Sequence, residues 1–442
     1  MLPVIAIVGR PNVGKSTLFN WLTQSRSALV ADFPGVTRDR QYGRGVIDQR
    51  PFWVIDTGGI EEVEDSPLTQ QTEKQVEQAI NEANIILFMV DARANLTPAD
   101  EGIAKRLRHY ADKVRVVVNK IDHLDPSIAC GEFFRLGLGQ PIPIAAIRGQ
   151  GVKALISEIM SEIPETESAL EEMPGTKIAI VGRPNVGKST LINRLLGEER
   201  VIVLDHPGTT RDSIYIPYER QGKNYILIDT AGVRRKARVS NEIEKLSMIK
   251  TLKAMEDCDV VIMIFSAHEG IIEQDLRLLG IIMQMGKALV LAINKWDNLD
   301  SSEREQVQRE IDRRLPFVDF ARRYFISALH GTGVGLLYRA VDEANTAAHK
   351  KLSTADVTRA LEKAIESHQP PLVSGRRIKL RYAHMGGHNP MIIIVHGKQT
   401  TDLPMSYKKY LINFFREYFN LVGIPLLVHF KNDPNPYAKD RD

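Results

Sequence analysis

This chain is poor in the residues that mark secreted and membrane proteins. It has only two cysteines in 442 residues, Cys130 and Cys258, and they lie far apart without metal-ligand spacing. This usage excludes a disulfide framework and is typical of a reducing compartment. No apolar run approaches about 18 residues, so no membrane-spanning helix is predicted. The apolar start, Leu2 to Val8, lacks a basic leader and is interpreted as a strand. We expect a cytoplasmic protein with no membrane partner.

An excess of one charge is also lacking over most of the chain. Residues 1–349 carry 43 Lys and Arg against 47 Asp and Glu, whereas residues 350–442 carry 15 against 8. The basic excess at the end would attract a polyanion such as RNA. The apolar share of 43% and the charged share of 26% are those of an ordinary globular protein. The length is sufficient for about two to four domains.

What the chain does contain is a long internal repeat. Nine residues recur letter for letter at an offset of 173, and later segments recur at offsets of 173 or 175. A period this long indicates a duplicated domain rather than a solenoid. The repeated pairs are Gly9–Thr17 with Gly182–Thr190, Asp32–Asp39 with Asp205–Asp212, Asp56–Gly59 with Asp229–Gly232, and Asn119–Asp122 with Asn294–Asp297.

The identical nine residues match the phosphate-binding pattern G-x-x-x-x-G-K-[ST]. Each copy follows an apolar run and precedes a helical pattern, which is the context that this motif requires. The glycines let backbone N–H groups point at phosphate oxygens, and Lys15 and Lys188 should bridge the β- and γ-phosphates. The predicted loop residues are Gly9, Arg10, Pro11, Asn12, Val13, Gly14, Lys15, Ser16 and Thr17, and Gly182, Arg183, Pro184, Asn185, Val186, Gly187, Lys188, Ser189 and Thr190.

Mg²⁺ is the metal expected at both loops. The loop hydroxyl can bind it directly, and a carboxylate at the end of a strand can hold it through water. A threonine in a polar segment between helix and strand is the place for a loop that closes on Mg²⁺ and the γ-phosphate. The predicted ligands are Ser16, Asp56 and Thr37 in the first copy, and Ser189, Asp229 and Thr210 in the second.

The glutamine that orients the attacking water in small GTPases is absent after Asp-x-x-Gly. Ile60 and Val233 stand there instead. Asn12 or Asn185 could compensate, because a side-chain carbonyl at that point could hold a monovalent cation such as K⁺. The alternative, that each asparagine is only a turn residue, stays open. Further predicted nucleotide contacts are Thr57, Gly58 and Gly59, and Thr230, Ala231 and Gly232; the predicted catalytic residues are Lys15, Thr37, Asn12, Lys188, Thr210 and Asn185.

The motif Asn-Lys-x-Asp predicts guanine as the base at both sites. Its carboxylate can accept two hydrogen bonds from the N1–H and N2 amine of guanine, which adenine cannot offer, so GTP and GDP are the expected ligands. A later small-residue loop should donate a backbone N–H to guanine O6. The residues concerned are Asn119, Lys120, Asp122 and Ala146 in the first copy, and Asn294, Lys295, Asp297, Ser327 and Ala328 in the second.

The alternation of strand-like and helical patterns predicts a doubly wound α/β domain in each copy. We place the first domain at 1–163, an acidic linker at 164–175, the second domain at 176–349 and an end domain at 350–442. The end domain has an αββαβ pattern, predicted as a helix at Thr354–His368, strands at Arg376–Ala383 and Met391–His396, a helix at Ser406–Phe419 and a strand at Pro425–Phe430.

Aromatic residues of the last helix fall at helical core spacing, so they are interpreted as core rather than as a base-stacking surface. They are Tyr407, Tyr410, Leu411, Phe414 and Tyr418. The candidates for RNA contact are basic residues expected to face outward, each of which is more often a solvated surface charge. They are Lys408, Lys409, Arg416, Arg376, Arg377, Lys379 and Arg381.

The paired Gly-Arg-Pro-Asn-Val-Gly-Lys-Ser-Thr loops, Pro-Gly-x-Thr-Arg-Asp segments, Asn-Lys-x-Asp motifs, acidic linker and basic end domain resemble the Der (EngA) family of bacterial double GTPases. The resemblance covers essentially the whole chain. It implies two Era-like GTPase domains, a KH-like end domain and a role in assembling the large ribosomal subunit. It also implies a need for K⁺, in agreement with the interpretation of Asn12 and Asn185.

Two functions are consistent with these patterns. The favoured one is a GTP-hydrolysing switch, a monomer that binds the large ribosomal subunit, its precursor or rRNA in one nucleotide state and leaves it in another. The other is a guanine-nucleotide sensor that docks on a regulatory protein, with hydrolysis incidental. RNA binding would weaken steeply as salt rises, because counterions are released from the phosphates, whereas a protein-docking sensor would show no such slope for RNA.

Overall fold

Buried apolar strands alternate with helices in both copies of the repeat, as the sequence predicts. They are seen in a computed structural model of the chain, which forms two compact units, Met1–Ala169 and Leu170–Asp442. The described residues are 2–23, 41–48, 50–57, 77, 79–81, 83–163, 174–197, 201–203, 214–229, 248–373 and 376–432. The predicted linker lies largely outside them, so its boundaries stay a prediction.

The first unit contains a six-stranded sheet with the order β2-β3-β1-β4-β5-β6. Its strands are β1 (Val4–Val8), β2 (Gln41–Ile47), β3 (Arg50–Asp56), β4 (Ile85–Asp91), β5 (Val114–Asn119) and β6 (Ile142–Pro143). Its helices are α1 (Lys15–Thr23), α2 (Pro98–Leu107), α3 (Pro126–Cys130) and α4 (Val152–Glu162), with 3-10 turns at Arg108–Lys113, Gly131–Leu136 and Ala146–Arg148.

The central strand β1 determines where ligands can bind. All five of its residues are buried, and it pairs in parallel with β3 on one side and β4 on the other. Helices cover both faces of such a sheet, which explains why β1 and β4 are apolar throughout rather than alternating. The chain turns in opposite directions on the two sides of β1, so the carboxyl end of β1 is the topological switch point where open α/β sheets bind ligands.

The second copy repeats this arrangement in a seven-stranded sheet of order β13-β12-β11-β7-β10-β9-β8. Its strands are β7 (Thr176–Val181), β8 (Val201–Val203), β9 (Ile214–Arg220), β10 (Lys223–Asp229), β11 (Val260–Ser266), β12 (Ala288–Asn294) and β13 (Arg323–Phe325). Its helices are α5 (Lys188–Leu196), α6 (Met248–Asp257), α7 (Glu273–Met285), α8 (Ser301–Arg314) and α9 (Val334–Ala348), with 3-10 turns at Trp296–Asn298 and Pro316–Val318.

The end domain is a three-stranded sheet backed by two helices. It contains α10 (Thr354–Ser367), β14 (Leu372–Val373), β15 (Arg376–Arg377), β16 (Lys379–His388), β17 (Met391–Lys398), a 3-10 turn at Thr400–Asp402, α11 (Met405–Tyr418) and β18 (Leu426–Asn432). The predicted αββαβ order is confirmed. The first predicted strand is corrected in detail: its start pairs with β14 as a separate two-residue strand, and β16 runs on to His388.

Packing of α11 largely follows the predicted spacing. Tyr407 and Leu411 are buried, and Tyr410 and Phe414 pack partly buried against the core. Tyr418 is instead 39% exposed, and the helix buries Phe415, which the prediction omitted. The buried side chains of α11 are therefore Tyr407, Leu411 and Phe415, at i, i+4 and i+8. This spacing differs from two ideal turns of about 3.6 residues by less than one residue.

A continuous core joins the second GTPase domain to the end domain within the second unit. One cluster of buried side chains contains members of both. The backbone is joined as well, since Leu289 N–H donates to Gly423 O at 2.7 Å and Gly423 N–H donates to Phe320 O at 2.9 Å. Gly423 has φ +76, and a Cβ there would lie 2.9 Å from Ala344 Cβ. Only glycine fits this close contact without strain.

The prediction that Arg416 faces outward was wrong. Its Nη1 donates to Asp319 Oδ1 at 3.0 Å, and its guanidinium lies 4.9 Å from the ring centroid of Phe320. Burial lowers the pKa of Arg416, against the nearby charge of Asp319. Arg416 is thus a contact between the end domain and the second GTPase domain. Lys408 is half-buried beside Phe430, whereas exposed positions are occupied by Lys409, Arg377, Lys379 and Arg381.

Candidate nucleotide-binding sites

Each predicted phosphate loop lies at the carboxyl end of a central strand and leads into a helix. Helix α1 begins at Lys15 and α5 begins at Lys188. The buried ammonium of Lys15 donates to Gly9 O at 2.9 Å and to Arg10 O at 2.7 Å, and Lys188 donates to Arg183 O at 2.7 Å. The lysine thus closes the loop on itself beneath the helix N-terminus, where anions bind.

Burial lowers the pKa of Lys15 to about 8, although the charge of Asp56 opposes this and Arg10 adds to it. Asp56 compensates only in part for the burial of the ammonium, so a bound phosphate would stabilise the protonated form further. Lys15 is therefore suited to bind an anion, because a phosphate stabilises the charged ammonium more than the two neutral carbonyl oxygens that now accept from it.

The two loop asparagines have the same unusual backbone. Asn12 and Asn185 both have φ 64, in the left-handed region, and their side chains are exposed. Asparagine tolerates this region better than most residues, which agrees with a turn role. Exposure at the rim of the loop also leaves the side-chain oxygen accessible to an ion. The geometry is therefore compatible with both interpretations from the sequence.

The predicted Mg²⁺ ligands of the first copy lie together. Ser16 Oγ donates to Asp56 Oδ2 at 3.0 Å, and Asp56 is buried at the end of β3. A hydroxyl and a carboxylate are oxygen ligands of the kind that Mg²⁺ prefers. In the second copy Ser189 is half-buried and Asp229 ends β10. The predicted residues outside the described chain are Thr37, Gly58, Gly59, Ile60, Thr210, Thr230, Ala231, Gly232 and Val233.

An asparagine braces the phosphate loop against the last guanine loop in each copy. Asn119 Nδ2 donates to Val13 O at 2.8 Å, and its Oδ1 accepts from Ala146 N–H at 3.0 Å. A Cβ on Gly14 would lie 2.3 Å from the same Nδ2, so the close approach requires glycine. In the second copy the corresponding residues are Asn294, Val186, Ala328 and Gly187, with both hydrogen bonds at 2.8 Å.

These hydrogen bonds use the backbone N–H groups that were predicted to bind guanine O6. The backbone N–H of Ala146, predicted to donate to O6, already donates to Asn119, and Ala328 does the same with Asn294. A guanine O6 would have to share that donor or use the next N–H of the loop. In both copies the buried asparagine therefore holds the two loops together.

The lysines of Asn-Lys-x-Asp are connected differently in the two copies. Lys120 Nζ donates to Asn12 O at 2.8 Å and lies 2.6 Å from Asp91 Oδ2. Lys295 Nζ lies 3.5 Å from Glu269 Oε1 instead. Sequence reasoning missed Asp91 and Glu269. Ser266 occupies the position equivalent to Asp91, so the acidic partner of the lysine comes from a different position in each copy and does not repeat.

The arginine of each phosphate loop is anchored by a buried aspartate, which sequence reasoning also missed. Arg10 Nε lies 3.4 Å from Asp100 Oδ1, and Arg183 Nε lies 3.3 Å from Asp275 Oδ2. Both aspartates are in the first turn of a helix and fully buried. Burial raises the pKa of Asp275 to about 6, against donation from the backbone and the charge of Arg183. Asp100 and Asp275 lie 175 residues apart, the same offset as the two Asn-Lys-x-Asp motifs, and this repetition could have identified them.

The predicted guanine-reading carboxylates stand beside different partners. Asp122 is contacted by Arg93 Nη2 at 3.6 Å and by Arg148 Nε at 3.3 Å. Asp297 Oδ2 lies 3.3 Å from His330 Nε2. A hydrogen bond from the Ser327 side chain is the main cause that lowers the pKa of Asp297.

The remaining predicted residues line or support the loops. Val13 and Val186 are fully buried beneath them. Thr57 is buried, and its Oγ1 donates to Ile7 O at 2.8 Å. Those with greater exposure are Pro11, Thr17, Pro184 and Thr190. Among the described residues, no cluster of His, Cys, Asp and Glu suits a metal ion, and no helix is long and apolar enough to cross a membrane.

Comparison with known families identifies all three domains. A family described as "50S ribosome-binding GTPase" matches residues 4–120 and 177–295. A second, described as "KH-domain-like of EngA bacterial GTPase enzymes, C-terminal", matches residues 351–431. These matches agree with the two GTPase folds and the small end domain seen in the structure.

Individual relatives match over nearly their whole length. GTPase Der of Coxiella burnetii is 58% identical over 437 residues, covering 99% of each chain. GTPase Der of Thioalkalivibrio sulfidiphilus is 56% identical over 445 residues, covering 100% of this chain and 96% of its own. Among solved structures, an Era variant from Aquifex aeolicus bound to GDP and aluminium fluoride is 20% identical, covers 60% of this chain and 95% of its own, and has a TM-score of 0.29.

Proposed function

The chain belongs to the GTPase Der family, and we propose that it acts in assembly of the large ribosomal subunit as a double nucleotide switch. It binds and hydrolyses GTP in two GTPase domains. The proposed step is nucleotide-dependent binding to rRNA or to a pre-ribosomal particle in the cytoplasm. The observation that carries this proposal is the twofold match to a family described as 50S ribosome-binding GTPases.

In the proposed mechanism the first site holds the phosphates between its loop and Lys15. The backbone N–H groups at the start of α1 point at the β-phosphate, and the lysine contacts the β- and γ-phosphates. A bound phosphate would stabilise the protonated form of this lysine and raise its pKa from about 8. Lys188 has the same role at the second site.

The contact between Ser16 and Asp56 supports Mg²⁺ at the first site, where the ion would neutralise charge on the β- and γ-phosphates when bound. Ser16 and Asp56 would hold it in the first site, and Ser189 with Asp229 in the second, joined by Thr37 and Thr210. We further propose that the exposed side-chain oxygens of Asn12 and Asn185 hold K⁺, which would supply positive charge where an arginine finger otherwise acts.

Base selection is assigned to the carboxylates of Asp122 and Asp297. Each would accept the N1–H and N2 amine of guanine, while Asn119 and Asn294 keep the phosphate and base loops in register. A nucleotide whose base lacks these donors would not form the two hydrogen bonds that guanine offers, which is the basis of discrimination.

Co-sedimentation with ribosomal subunits tests the ribosomal proposal. The full chain, loaded with GDP or a non-hydrolysable GTP analogue, is run beside Lys15→Ala and Lys188→Ala. We expect association with the large subunit in one nucleotide state, loss in at least one variant, and a steep decrease as salt rises. Absence of association in every state would exclude this role and favour a protein-docking guanine-nucleotide sensor.

A further inference from the structure

Two equivalent positions flank the guanine-reading carboxylate in each copy, and their residue types differ. One position is the second residue after β4 or β11, and the other is in the turn after β6 or β13. The first copy has Arg93 and Arg148 there, whereas the second has His268 and His330. Both members of the pair therefore change from a permanent cation to a titratable group.

In the first copy two guanidinium groups face the same carboxylate. Arg93 and Arg148 approach opposite oxygens of Asp122, at 3.6 and 3.3 Å, and the Asp122 side chain is only 8% exposed. Arg148 also lies 3.1 Å from His123 Nε2. Arginine stays protonated at every physiological pH, so the two groups in contact with Asp122 keep a constant charge.

In the second copy imidazoles take these positions. His330 Nε2 lies 3.3 Å from Asp297 Oδ2. A hydrogen bond from Ser327 is the main cause that lowers the pKa of Asp297, and the charges of His330 and His268 contribute. The other charged groups facing this loop are fixed ions: Arg194 donates to the backbone of the His330 turn, Arg304 donates to Trp296 O, and Lys295 pairs with Glu269. Histidine is the side-chain type at this loop whose charge ordinarily changes between about pH 5 and 8. Asp275, whose pKa is raised to about 6, lies instead beside Arg183 at the phosphate loop.

We propose that His268 and His330 make nucleotide binding at the second site weaken as pH falls, whereas Arg93 and Arg148 exclude this effect from the first site. This inference rests on the proposed role of Asp122 and Asp297 in reading guanine. It assigns a regulatory difference to two sites whose phosphate loops are identical.

The direction follows from competition for one carboxylate. Asp297 needs both oxygens to accept the N1–H and N2 amine of guanine. A protonated His330 holds one of these oxygens in an ion pair and lowers its strength as an acceptor, so binding must weaken that pair. When His330 is neutral this competition largely disappears. Arg148 competes in the same manner at the first site, but to the same degree at every pH.

Single-site variants of the full chain isolate the effect. Lys15→Ala leaves the second site as the GDP site, and Lys188→Ala leaves the first. Affinity for fluorescent GDP is measured from about pH 7 to about pH 5.5, below the range in which Lys15, with a pKa of about 8, loses its proton. We expect the affinity of the second site for GDP to fall about fivefold. The binding of one proton changes affinity by at most about tenfold per pH unit. Solvent reduces the effect further, because His330 and Asp297 are both partly exposed. The first site should change less than about twofold.

Exchanging the flanking residues provides the matched control. Adding His268→Arg and His330→Arg to Lys15→Ala should abolish the extra pH dependence, and adding Arg93→His and Arg148→His to Lys188→Ala should create it. Titration of the GDP phosphate affects both sites equally and cancels in the comparison. Because Asp275 is unchanged by the exchange, any contribution of its titration stays. Equal pH profiles at the two sites, a stronger second site at low pH, or an exchange that leaves the pH profile of either site unchanged would overturn the inference.

A further variant separates failure of this inference from failure of the guanine-reading proposal. Asp297→Asn in the Lys15→Ala background should bind GDP much more weakly and gain affinity for xanthosine diphosphate, whose C2 oxygen can accept from the amide. If Asn at this position leaves GDP binding unchanged, the role of Asp297 is wrong. If GDP binding is lost as expected but wild-type pH profiles coincide, only the pH inference fails.

Discussion

At the scale of single residues, the asparagine between the phosphate loop and the base loop is the least replaceable part of each site. Asn119 is almost fully buried, and its two hydrogen bonds satisfy the backbone of both loops. Asn119→Ala should leave the carbonyl of Val13 and the N–H of Ala146 unpaired. We expect a loss of about 2 to 4 kcal/mol in the free energy of unfolding of the first unit, measured in urea.

The matched control for Asn119→Ala is Asn294→Ala in the second unit. It should destabilise that unit by a similar amount and leave the first unit unchanged, because the same two bonds are lost. Both variants should also bind GDP more weakly at the altered site. Wild-type stability in either variant would show that water replaces the side chain and that the brace has no energetic role.

Lys15 gives a prediction of proton uptake. Its pKa is lowered to about 8 by burial, so at about pH 8.5 much of it is neutral in the free protein. A bound phosphate raises that pKa, and GDP binding to Lys188→Ala should therefore take up a proton at about pH 8.5 but not at about pH 6.5, where the lysine is already charged. Calorimetry in two buffers of different ionisation enthalpy measures the uptake. Identical enthalpies at the higher pH would contradict the low pKa.

At the scale of elements, helices α2 and α7 connect to the phosphate loops through their first turn. Asp275 accepts from Ile272 N–H at 3.1 Å and pairs with Arg183. Asp275→Ala should cost about 2 to 3 kcal/mol in the free energy of unfolding of the second unit, because it removes a helix cap and one partner of a buried arginine. Asp275→Asn should cost less, since the amide oxygen can still cap the helix.

The control for this element is Asp312→Ala in α8. Asp312 pairs with Arg323 at the surface, with 68% of its side chain exposed, and exposed pairs contribute less than about 1 kcal/mol. The free energy of unfolding measured in urea at about pH 7 should therefore be clearly lower for Asp275→Ala than for Asp312→Ala. Equal stabilities would mean that Glu269 alone is sufficient to hold Arg183.

Elements were predictable from sequence where one local rule determines them. The apolar run before Gly9 and the loop pattern defined β1 and the start of α1, and the αββαβ order followed from periodicity. Contacts set by distant residues were not predictable. Arg416 fits the pattern of a surface charge on α11, yet Asp319 and Phe320 bury it. The partners of Asp122 and Asp297 come from loops far away in sequence, and only comparison of the two copies points to them.

The chain as a whole consists of two units, of which the first contains one GTPase domain and the second contains a GTPase domain and the KH-like domain. The first has its own apolar clusters on the two faces of its sheet. The second shares one cluster between its GTPase domain and the KH-like domain. Nucleotide binding at the second site should therefore stabilise the KH-like domain together with the GTPase domain, whereas binding at the first site should stabilise the first unit alone.

The two cysteines report on these units separately. Cys130 is buried in the first unit and Cys258 in the second, and burial raises the pKa of the Cys258 thiol to about 12. Neither native thiol should react until its unit opens. GDP at about 100 times its dissociation constant stabilises a unit by about 2.7 kcal/mol, so labelling should slow about a hundredfold. In Lys15→Ala the slowing should affect Cys258 and spare Cys130, and in Lys188→Ala the reverse. Cys130→Ala and Cys258→Ala assign each rate. Equal slowing of both thiols by one occupied site would mean that the units open together.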